Sequence, residues 1–382
     1  MLALSAFTNL SDPYRAGVAL GETLARVRPE VVFLFCSINY GSSADLVEGL
    51  NDALDNPELI VIGNSGDGIY QTHVCADIGA TALGINSEGS ARWYLVSEPG
   101  IKAAPAQATQ RAWQRLAKQG LIDLVFLVSD FHTDASQIEQ VLSEQIPVPV
   151  VGGLAADDNR MQDSFVFANR ELLRDSLVML GCHGNFVFDI AIGNALQTVG
   201  QAGRISASQG TCIAEIDGMP AMAFIERETG KPVLQSDRGI VSLTILNPDA
   251  PAERRLRSIV PDFSDDAGQL GLYGGIENGK LVQVCLASPE QLINEVQALA
   301  DRACSASFTP KAAIVISCGG RKQMLGPRIE HEISALSSRF GDRLPLVGFP
   351  SFGEIAPHKN QQGYTRNLFH NMTYVLLLLG EK

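Results

Sequence analysis

Residues 345–357 read PLVGFPSFGEIAP. A short apolar run, Leu346-Val347, leads into a turn rich in glycine and proline and then to a single carboxylate, Glu354. Two earlier stretches share this layout: PELIVIGNSGDG at residues 57–68 and PVPVVGGLAADD at residues 147–158. Because each one leads a buried-strand pattern into small residues and an acid, the sequence predicts three copies of one structural unit.

The segments around the three turns repeat as well. Before each turn stand an apolar run, which predicts a strand covered on both faces, and an amphipathic helical stretch. The apolar runs are 31–35, 124–128 and 313–316, and the helical stretches are 46–54, 135–145 and 329–340. After the turns come apolar strands at 75–85, 177–182 and 373–379. We therefore predict an α/β fold of two lobes, built with mixed sheets from repeated strand, helix, strand, turn and strand units.

The sequence between the second and third units has a different texture. Short strands are predicted at 186–198, 211–216, 241–246 and 281–286, with a helix at 219–229. The capping box Ser288-Pro289-Glu290-Gln291 predicts the start of another helix. Residues 247–269 lack periodicity and are interpreted as a surface connection, and residues 271–275 as a bend. A boundary near residue 220 is predicted, which gives domains of residues 1–220 and 221–382.

Composition narrows the class of protein. A chain of 382 residues with 46% hydrophobic and 19% charged residues is globular and long enough for two or three domains. Its formal net charge of −13 disfavours binding to nucleic-acid phosphates or anionic membranes. No secretory signal is visible at the start, and seven cysteines without a C-x-x-C pair fit a reducing compartment. We expect a cytoplasmic protein with a small-molecule ligand or a protein partner.

The turns also indicate where a ligand would bind. In parallel sheets, ligands sit outside the carboxyl ends of the strands, and all three turns lie at such ends. We therefore predict that the turns converge on one shared hollow. The alternative that these glycine-rich exits only make tight turns stays open for each copy. The predicted ligand-binding residues are Ser37, Asn64, Ser65 and Asp67 in the first unit, Ser129, His132, Gly153 and Asp157 in the second, and Ser351, Glu354 and His370 in the third.

Two histidines and two cysteines are candidates for chemistry. His132 follows Asp130 at a strand exit, where the two could act as acid and base or as a metal corner, although Thr133-Asp134 also fits a helix cap. His370, beside the focal turn, could bind a ligand or an iron atom, or bond to backbone at a strand start. Strand-end nucleophiles would be Cys36 and Cys318. Zinc-type spacings, a Walker loop and a nucleophile elbow are absent from the sequence, so nothing positively indicates an enzyme.

Taken together, these motifs resemble the FIST family, named for F-box and intracellular signal transduction proteins. The N-terminal part carries VFLFCS at 32–37, VIG at 61–63 and VGGLAAD at 151–157. The C-terminal part carries Gly348-Phe349, GEIAP at 353–357 and HNMT at 370–373. Their combination and order are specific and cover most of the chain. One departure is the first turn, where family members often have G-C-S-x-x-G-E and this chain has GNSGDG at 63–68, with the shorter acid Asp67.

The resemblance implies a sensory module that binds a small molecule, with amino acids as one proposed ligand class. Some similar stand-alone FIST proteins bind haem and sense nitric oxide, so the resemblance implies haem as a candidate cofactor. His370 would then be the tentative axial ligand of the iron, with His132 as the second candidate. The implied partner is a sensor histidine kinase, or a diguanylate cyclase or phosphodiesterase, acting in trans. Two alternatives remain: an enzyme that uses Asp130 and His132 or a strand-end cysteine, and a scaffold without a ligand.

Overall fold

The first structural unit alternates strands and helices. A computed structural model of the chain describes residues 1–248, 255–264 and 267–381. The unit forms β1 (Leu2–Thr8), α1 (Pro13–Leu24), β2 (Val31–Ser37), α2 (Asp45–Leu54), β3 (Ile60–Gly66), β4 (Ile69–Gln71), β5 (Val74–Ala76) and β6 (Ala80–Asn86). Strands β2 and β3 pair in parallel, while β6 pairs antiparallel with both β1 and β2.

The second unit repeats this order without interruption. It forms β7 (Ala91–Pro99), α3 (Pro105–Ala117), β8 (Leu124–Ser129), α4 (Ala135–Gln145), β9 (Val150–Leu154), β10 (Val166–Ala168), β11 (Glu171–Leu173) and β12 (Ser176–Gly184). Its parallel pair is β8 and β9, and β12 lies antiparallel between β7 and β8. Asp134 caps helix α4, because its carboxylate accepts the backbone N–H of Ser136 at 3.1 Å, as the capping interpretation predicted.

The third unit is interrupted after its first strand, β13 (Val187–Gly193), by a small lobe. Among the residues that the structure describes, this lobe forms a seven-stranded sheet and one helix. Its elements are β14 (Gln197–Gln209), β15 (Cys212–Ile216), β16 (Met219–Pro220), α5 (Ala221–Thr229), β17 (Ser242–Leu246), β18 (Arg255–Pro261), β19 (Leu270–Leu272) and β20 (Leu281–Leu286). The chain then returns to the main body.

The rest of the third unit completes the pattern. It forms α6 (Pro289–Cys304), β21 (Pro310–Cys318), α7 (Gly319–Leu325), α8 (His331–Phe340), β22 (Leu346–Ser351), β23 (Glu354–Asn360), β24 (Gly363–His370) and β25 (Tyr374–Gly380). Strands β21 and β22 are parallel, and β25 pairs antiparallel with β13 and β21. Helix α6 begins with the predicted capping box, in which Ser288 and Gln291 exchange hydrogen bonds of 2.7 and 3.3 Å. The predicted two-lobed α/β fold of repeated units with mixed sheets is confirmed.

Each six-stranded sheet of the large lobe is completed by a hairpin from another unit. The hairpin β4–β5 of the first unit pairs with β22, the hairpin β10–β11 of the second unit pairs with β3, and the hairpin β23–β24 of the third unit pairs with β9. The exchange is therefore cyclic. It also corrects the single strand predicted over residues 75–85, because β5 and β6 are separate strands in different sheets.

The three sheets meet face to face in one core. Phe35 of β2 contacts Phe126 of β8 and Phe349 of β22, with ring centroids 6.3 and 4.7 Å apart. These rings come from all three sheets and are almost completely buried. The large lobe therefore has a shared core.

The stretch 247–269 was interpreted wrongly as a surface connection. Residues 249–254 and 265–266 lie outside the described residues, but β18 falls between them and is largely buried. Arg257 of β18 donates to Glu139 of α4 at 2.5 Å and to the carbonyl of Phe369 at 2.8 Å. A strand with buried arginine and serine side chains has a polar composition, so hydrophobic patterning alone did not reveal it. Instead of forming a surface loop, this strand joins the small lobe to the large one.

Among the described residues, no helix combines the length and the apolar character needed to cross a bilayer.

Candidate functional site

The three predicted turns do converge. Asp67 N–H donates to the carbonyl of Pro350 at 3.0 Å, and Ala156 N–H donates to the carbonyl of Ser65 at 2.8 Å. Phe352 N–H donates to the carbonyl of Leu154 at 3.4 Å, which completes a ring of contacts among the three turns. Each turn thus donates to one neighbour and accepts from the other, so the carboxyl ends of the three parallel pairs meet at one place.

One glycine in each turn makes this approach possible. A Cβ atom added at Gly63, Gly152 or Gly348 would lie 1.7, 1.8 or 2.1 Å from a carbonyl oxygen of the preceding parallel strand. No side chain fits at that distance. The glycine shared by the three sequence stretches is therefore required by close strand pairing.

The turns pack directly against one another, so they do not enclose the predicted shared hollow between them. A Cβ at Gly66 would lie 2.8 Å from Cβ of Phe349, and one at Gly153 would lie 3.3 Å from Cβ of Ser351. Space opens instead beside the third turn, where the small lobe faces it. This cavity, which we call the interlobe cavity, has a volume of about 190 Å³. It has room for roughly six waters or one small organic molecule.

Both lobes contribute to the interlobe cavity. The large lobe lines it with Asn159, Cys318, Gly319, Gly320, Gln323, Ser351, Phe352 and Asn371. The small lobe lines it with Gln235, Arg238, Gly239, Ser258 and Tyr273. The lobes meet at its rim, where Asn371 Oδ1 accepts the backbone N–H of Ser258 at 3.1 Å. A Cβ at Gly320 would lie 2.3 Å from the carbonyl oxygen of Gly239, so the lobes touch there through backbone alone.

The wall chemistry is polar with one positive charge. Arg238 is the charged side chain among the described residues that line the cavity, and its Nε donates to Tyr273 Oη at 3.0 Å. The amides of Gln235, Gln323 and Asn371 offer both donors and acceptors. Since the guanidinium is permanently charged and presents planar donors, the cavity is suited to an anionic group on a small polar molecule.

Glu354 lies directly behind this wall. It is fully buried, and Ser351, which lines the cavity, donates its hydroxyl to Glu354 Oε1 at 2.6 Å. The other carboxylate oxygen accepts the hydroxyl of Thr373 at 2.8 Å and its backbone N–H at 3.2 Å. Burial raises the pKa of Glu354 to about 7, although these hydrogen bonds oppose the rise. Of the eleven residues predicted from sequence, Ser351 lines the cavity and Glu354 stands next to it.

Family comparison supports the sequence motifs. Models of the FIST N domain and the FIST C domain match residues 30–219 and 234–357, which is more than half of the chain. The chain belongs to the FIST family. FIST proteins are sensory signalling proteins that bind small ligands, and that general description applies here. The first matched segment ends at residue 219 and the second begins at residue 234, whereas in space the lobes follow the interruption of the third unit.

Three relatives of this FIST protein are named only as uncharacterized proteins. Proteins from two strains of Mycobacterium tuberculosis are 24% identical over 322 residues, which cover 76% of this chain and 82% of theirs. A protein of Methanocaldococcus jannaschii is 30% identical over 99 residues, which cover 26% of this chain and 19% of its own. A solved structure of PurLQS from Thermotoga maritima aligns over all of this chain and 72% of its own, at 11% identity and a TM-score of 0.22. That score is too low to establish a shared fold.

The first-unit candidates of this FIST protein hold the turns in place. Ser37 Oγ accepts the backbone N–H of Gly79 at 3.3 Å, and Ser65 Oγ accepts that of Phe165 at 3.2 Å. Asn64 donates to the carbonyl of Ser65 at 2.8 Å. Asp67 accepts Lys322 of α7 at 2.8 Å. The first three contacts fix strand exits, and the fourth ties the first turn to the helix whose start lines the cavity.

Three of the second-unit candidates have similar roles. Ser129 donates to the carbonyl of Asp130 at 3.1 Å. Asp157 accepts backbone N–H groups from residues 161 and 162 at 3.0 and 2.7 Å, which orders the loop after the turn. Gly153 packs against Ile316 of the third unit, because a Cβ would lie 2.9 Å from its side chain. These contacts favour the alternative of structural turn residues.

Asp130 and His132 form the predicted pair, but neither lines the cavity. His132 Nδ1 lies 2.9 Å from Asp130 Oδ1, and the imidazole stacks on Phe131 with ring centroids 3.9 Å apart. Burial would raise the pKa of Asp130, but hydrogen bonds from His132, Asp175 and Ser164 bring it below its usual value. Within the described part of the chain, no hydroxyl or thiol bonds to Nε2 of His132, so a nucleophile for the enzyme alternative is not in place.

The strand-end cysteines do not suit nucleophilic chemistry either. Burial raises the pKa of both Cys36 and Cys318 well above the usual thiol value. A neutral thiol is a weak nucleophile. Cys318 lines the interlobe cavity, where it contributes polarizable surface instead of reactivity.

His370 does not fit the role of a haem ligand. Its side chain is completely buried, and Nε2 lies 3.0 Å from the carbonyl oxygen of Ala356. Because a carbonyl only accepts, Nε2 carries the hydrogen, and Nδ1 faces protein without a hydrogen-bond partner. Burial, with His358 nearby, lowers the pKa of His370 to about 3. Axial ligation requires open space for a porphyrin beside the nitrogen, and His370 is outside the wall of the interlobe cavity.

A haemin titration checks this conclusion. We expect wild type and a His370→Ala variant to give the same optical spectrum with haemin, because the imidazole is not accessible. The variant is expected to lose about 2–3 kcal/mol of unfolding free energy through the space left in the core. A Soret band that appears with wild type and disappears in the variant would show that His370 ligates the iron after all.

Most cavity residues were missed from the sequence of this FIST protein. Arg238 and Tyr273 lie in stretches without periodicity, and residues 271–275 were interpreted as a bend. Their position depends on the long-range docking of the small lobe. One available signal was Asn371, which belongs to the HNMT motif quoted above yet was not singled out.

Proposed function

We propose that this FIST protein senses a small polar molecule that carries a carboxylate, bound in the interlobe cavity. The observation that carries this proposal is the composition of the cavity wall. Arg238 and Tyr273 from the small lobe line the same cavity as Ser351 and Asn371 from the large lobe. An amino acid, or a similar carboxylate of that size, matches the single positive charge and the surrounding amides.

Binding between two lobes provides a way to signal. A ligand that contacts both walls favours the arrangement in which the lobes are close, and it shifts the population only by its differential affinity for that arrangement. Direct lobe contacts at Ser258–Asn371 and Arg257–Glu139 define the arrangement described here. A second protein that recognises one arrangement would then respond to the ligand.

We place the output in trans, on a sensor histidine kinase or on a diguanylate cyclase or phosphodiesterase. The family membership supports a signalling role. The test is the activity of such a purified partner with and without the FIST protein, each with and without ligand. A partner whose rate does not depend on ligand in the presence of the FIST protein would contradict this assignment.

Ligand identity is tested by a thermal-shift screen of amino acids and small carboxylates, followed by calorimetry. A ligand at 100 times its Kd stabilises the folded protein by about 2.7 kcal/mol, which such a screen detects. Haem and nitric oxide remain the alternative ligands implied by the family resemblance. The burial of His370 gives them no support at that residue, so haemin is included in the screen as a direct competitor of the carboxylate hypothesis.

The Arg238 side chain gives the first prediction for binding. An Arg238→Gln variant is expected to weaken carboxylate binding by roughly 10- to 150-fold, because one charged hydrogen-bonding partner is worth about 1.5–3 kcal/mol. The affinity of an Arg238→Lys variant should fall between those of wild type and Arg238→Gln, since an ammonium keeps the charge but lacks the planar pair of donors. Arg170→Gln, which changes an exposed arginine paired with Asp52, is the matched control and should bind as wild type does. Equal affinities for all four proteins would place the ligand elsewhere.

A further inference from the structure

Glu354 and Ser351 form a relay from the core to the cavity wall. Ser351 Oγ accepts the backbone N–H of Gly353 at 3.3 Å and uses its single hydrogen for Glu354 Oε1 at 2.6 Å. The carboxylate itself is fully buried and does not line the cavity. Ser351 is part of the cavity wall, although it is itself almost completely buried. Glu354 therefore acts on a bound molecule either through the hydroxyl of Ser351 or through its own charge.

The groups around Glu354 leave its charge without a bonded cation. Arg321 on α7 faces it but forms its ion pair with Glu332 at 2.9 Å. Cys318 at the end of β21 also faces it and stays neutral because its pKa is raised. On the paired strands, His370 is opposite Glu354 on β24 and is neutral at ordinary pH, and β9 contributes Gly153. The pKa of about 7 reflects this balance of burial and neutral hydrogen bonds.

We propose that Glu354 makes Ser351 a proton-dependent donor for a carboxylate ligand, so that binding of the ligand takes up one proton. With Glu354 ionised, the Ser351 hydrogen is held by the carboxylate. When a proton from solvent binds to Oε1, the new O–H donates to Ser351 Oγ, and the serine hydrogen rotates toward the cavity. No covalent bond changes, and one proton is added. This inference rests on the proposed function and names a residue pair that sets its specificity.

The sign of the pH dependence follows from the linkage. A ligand carboxylate prefers the state in which Ser351 donates to it, so the pKa of Glu354 is higher in the complex than in the free protein. Affinity is therefore strongest and constant below about pH 7, the pKa of Glu354 in the free protein. Above that pH it weakens, by up to about tenfold per pH unit, until the pKa of the complex is passed.

Calorimetry with succinate and L-glutamate as probes, from about pH 5 to about pH 9, tests this linkage. Repeating the titration in buffers of different ionisation enthalpy gives the number of protons taken up, which is expected to be about one half near pH 7 and to rise toward one between the pKa values of the free protein and the complex. A Glu354→Gln variant keeps a neutral donor and should bind at high pH as tightly as wild type does at low pH. Ser351→Ala should bind weakly at every pH and lose most of the slope.

A matched control and a ligand-free measurement complete the design. Glu98 is another largely buried carboxylate; it lies on the outer strand β7 and pairs with Arg111 and Arg115 of α3. The Glu98→Gln variant should keep the wild-type pH dependence of binding. In ligand-free protein, the infrared carbonyl band of protonated Glu354 should titrate near neutral pH and shift in Ser351→Ala. This readout needs neither a ligand nor the Glu354 variant.

The outcomes separate the two claims. Probe binding that is independent of pH overturns the proton linkage and leaves the proposed function intact. A slope that persists in Ser351→Ala overturns the role of the hydroxyl, because Glu354 would then act through its charge alone. If neither probe binds at any pH, the proposed carboxylate function fails and the linkage fails with it. An infrared band that Ser351→Ala does not shift overturns the hydroxyl relay on its own evidence.

Discussion

An Arg321→Ala variant is expected to lose about 3–5 kcal/mol of unfolding free energy, measured by urea denaturation. Arg321 and Glu332 are both fully buried, and Arg321 Nη2 donates to Glu332 Oε1 at 2.9 Å. Burial lowers the pKa of Arg321, but the neighbouring carboxylate more than offsets this and the pKa is raised. Removing the guanidinium leaves Glu332 as an unpaired buried charge, which is the costly state.

Two further variants define what this result means. Arg328 pairs with Glu290 at 2.8 Å, but both side chains are exposed, so Arg328→Ala should cost less than about 1 kcal/mol. Replacing both buried partners, Arg321→Met with Glu332→Leu, should recover much of the loss, because no charge is left unpaired. If the single buried variant is as mild as the surface control, the pair is not the structural link between α7 and α8 that its burial indicates.

Gly152→Ala is the second large effect, with an expected loss of at least about 3 kcal/mol. The added Cβ would lie 1.8 Å from the carbonyl oxygen of Leu127 and 2.7 Å from its carbon. These are backbone atoms of the paired strand β8, so relief requires the parallel pair to separate. Because that pair carries the second turn, the convergence of the three turns should loosen as well. Urea denaturation, with amide exchange of β8 and β9, measures both effects.

A glycine of a different kind serves as the control. Gly89 has a φ of +77° and no atom within 4 Å of an added Cβ, so Gly89→Ala meets only backbone strain, about 1–2 kcal/mol. The two variants therefore separate strain at one residue from a clash between strands. Equal losses would mean that the close approach of β9 to β8 does not determine the stability of the turn.

The repeated unit could be predicted because its signals are local. Apolar strand runs, amphipathic helices and glycine at the strand exit recur in each copy, and all three are visible within a short window of sequence. The exchanged hairpins are different. The strands of β10–β11 and β4–β5 have three residues each, and they pair with strands of other units far away in the chain, so no local pattern identifies their partners.

For the candidate site, too, the sequence revealed the residues of local motifs and not those that long-range contacts bring into place. Ser351 and Glu354 were found because they belong to the repeated turn itself. Arg238 and Ser258 were not, because their position depends on how the small lobe docks, which sequence periodicity does not encode. The sequence correctly predicted that His370 lies beside the focal turn, but it did not reveal that the side chain is completely buried. Burial of a polar residue at a strand end depends on neighbours contributed by other elements.

The cyclic exchange of hairpins resembles the contacts between subunits of a symmetric oligomer. No unit has a complete sheet without a neighbour, and the exchange closes after three steps. A lone ancestral copy of the unit would leave one sheet edge open and would cover it by lending its hairpin to an identical molecule. Three such molecules close into a ring with rotational symmetry. The large lobe therefore has the arrangement that a ring of three identical subunits would have, with contacts between subunits replaced by contacts within one chain.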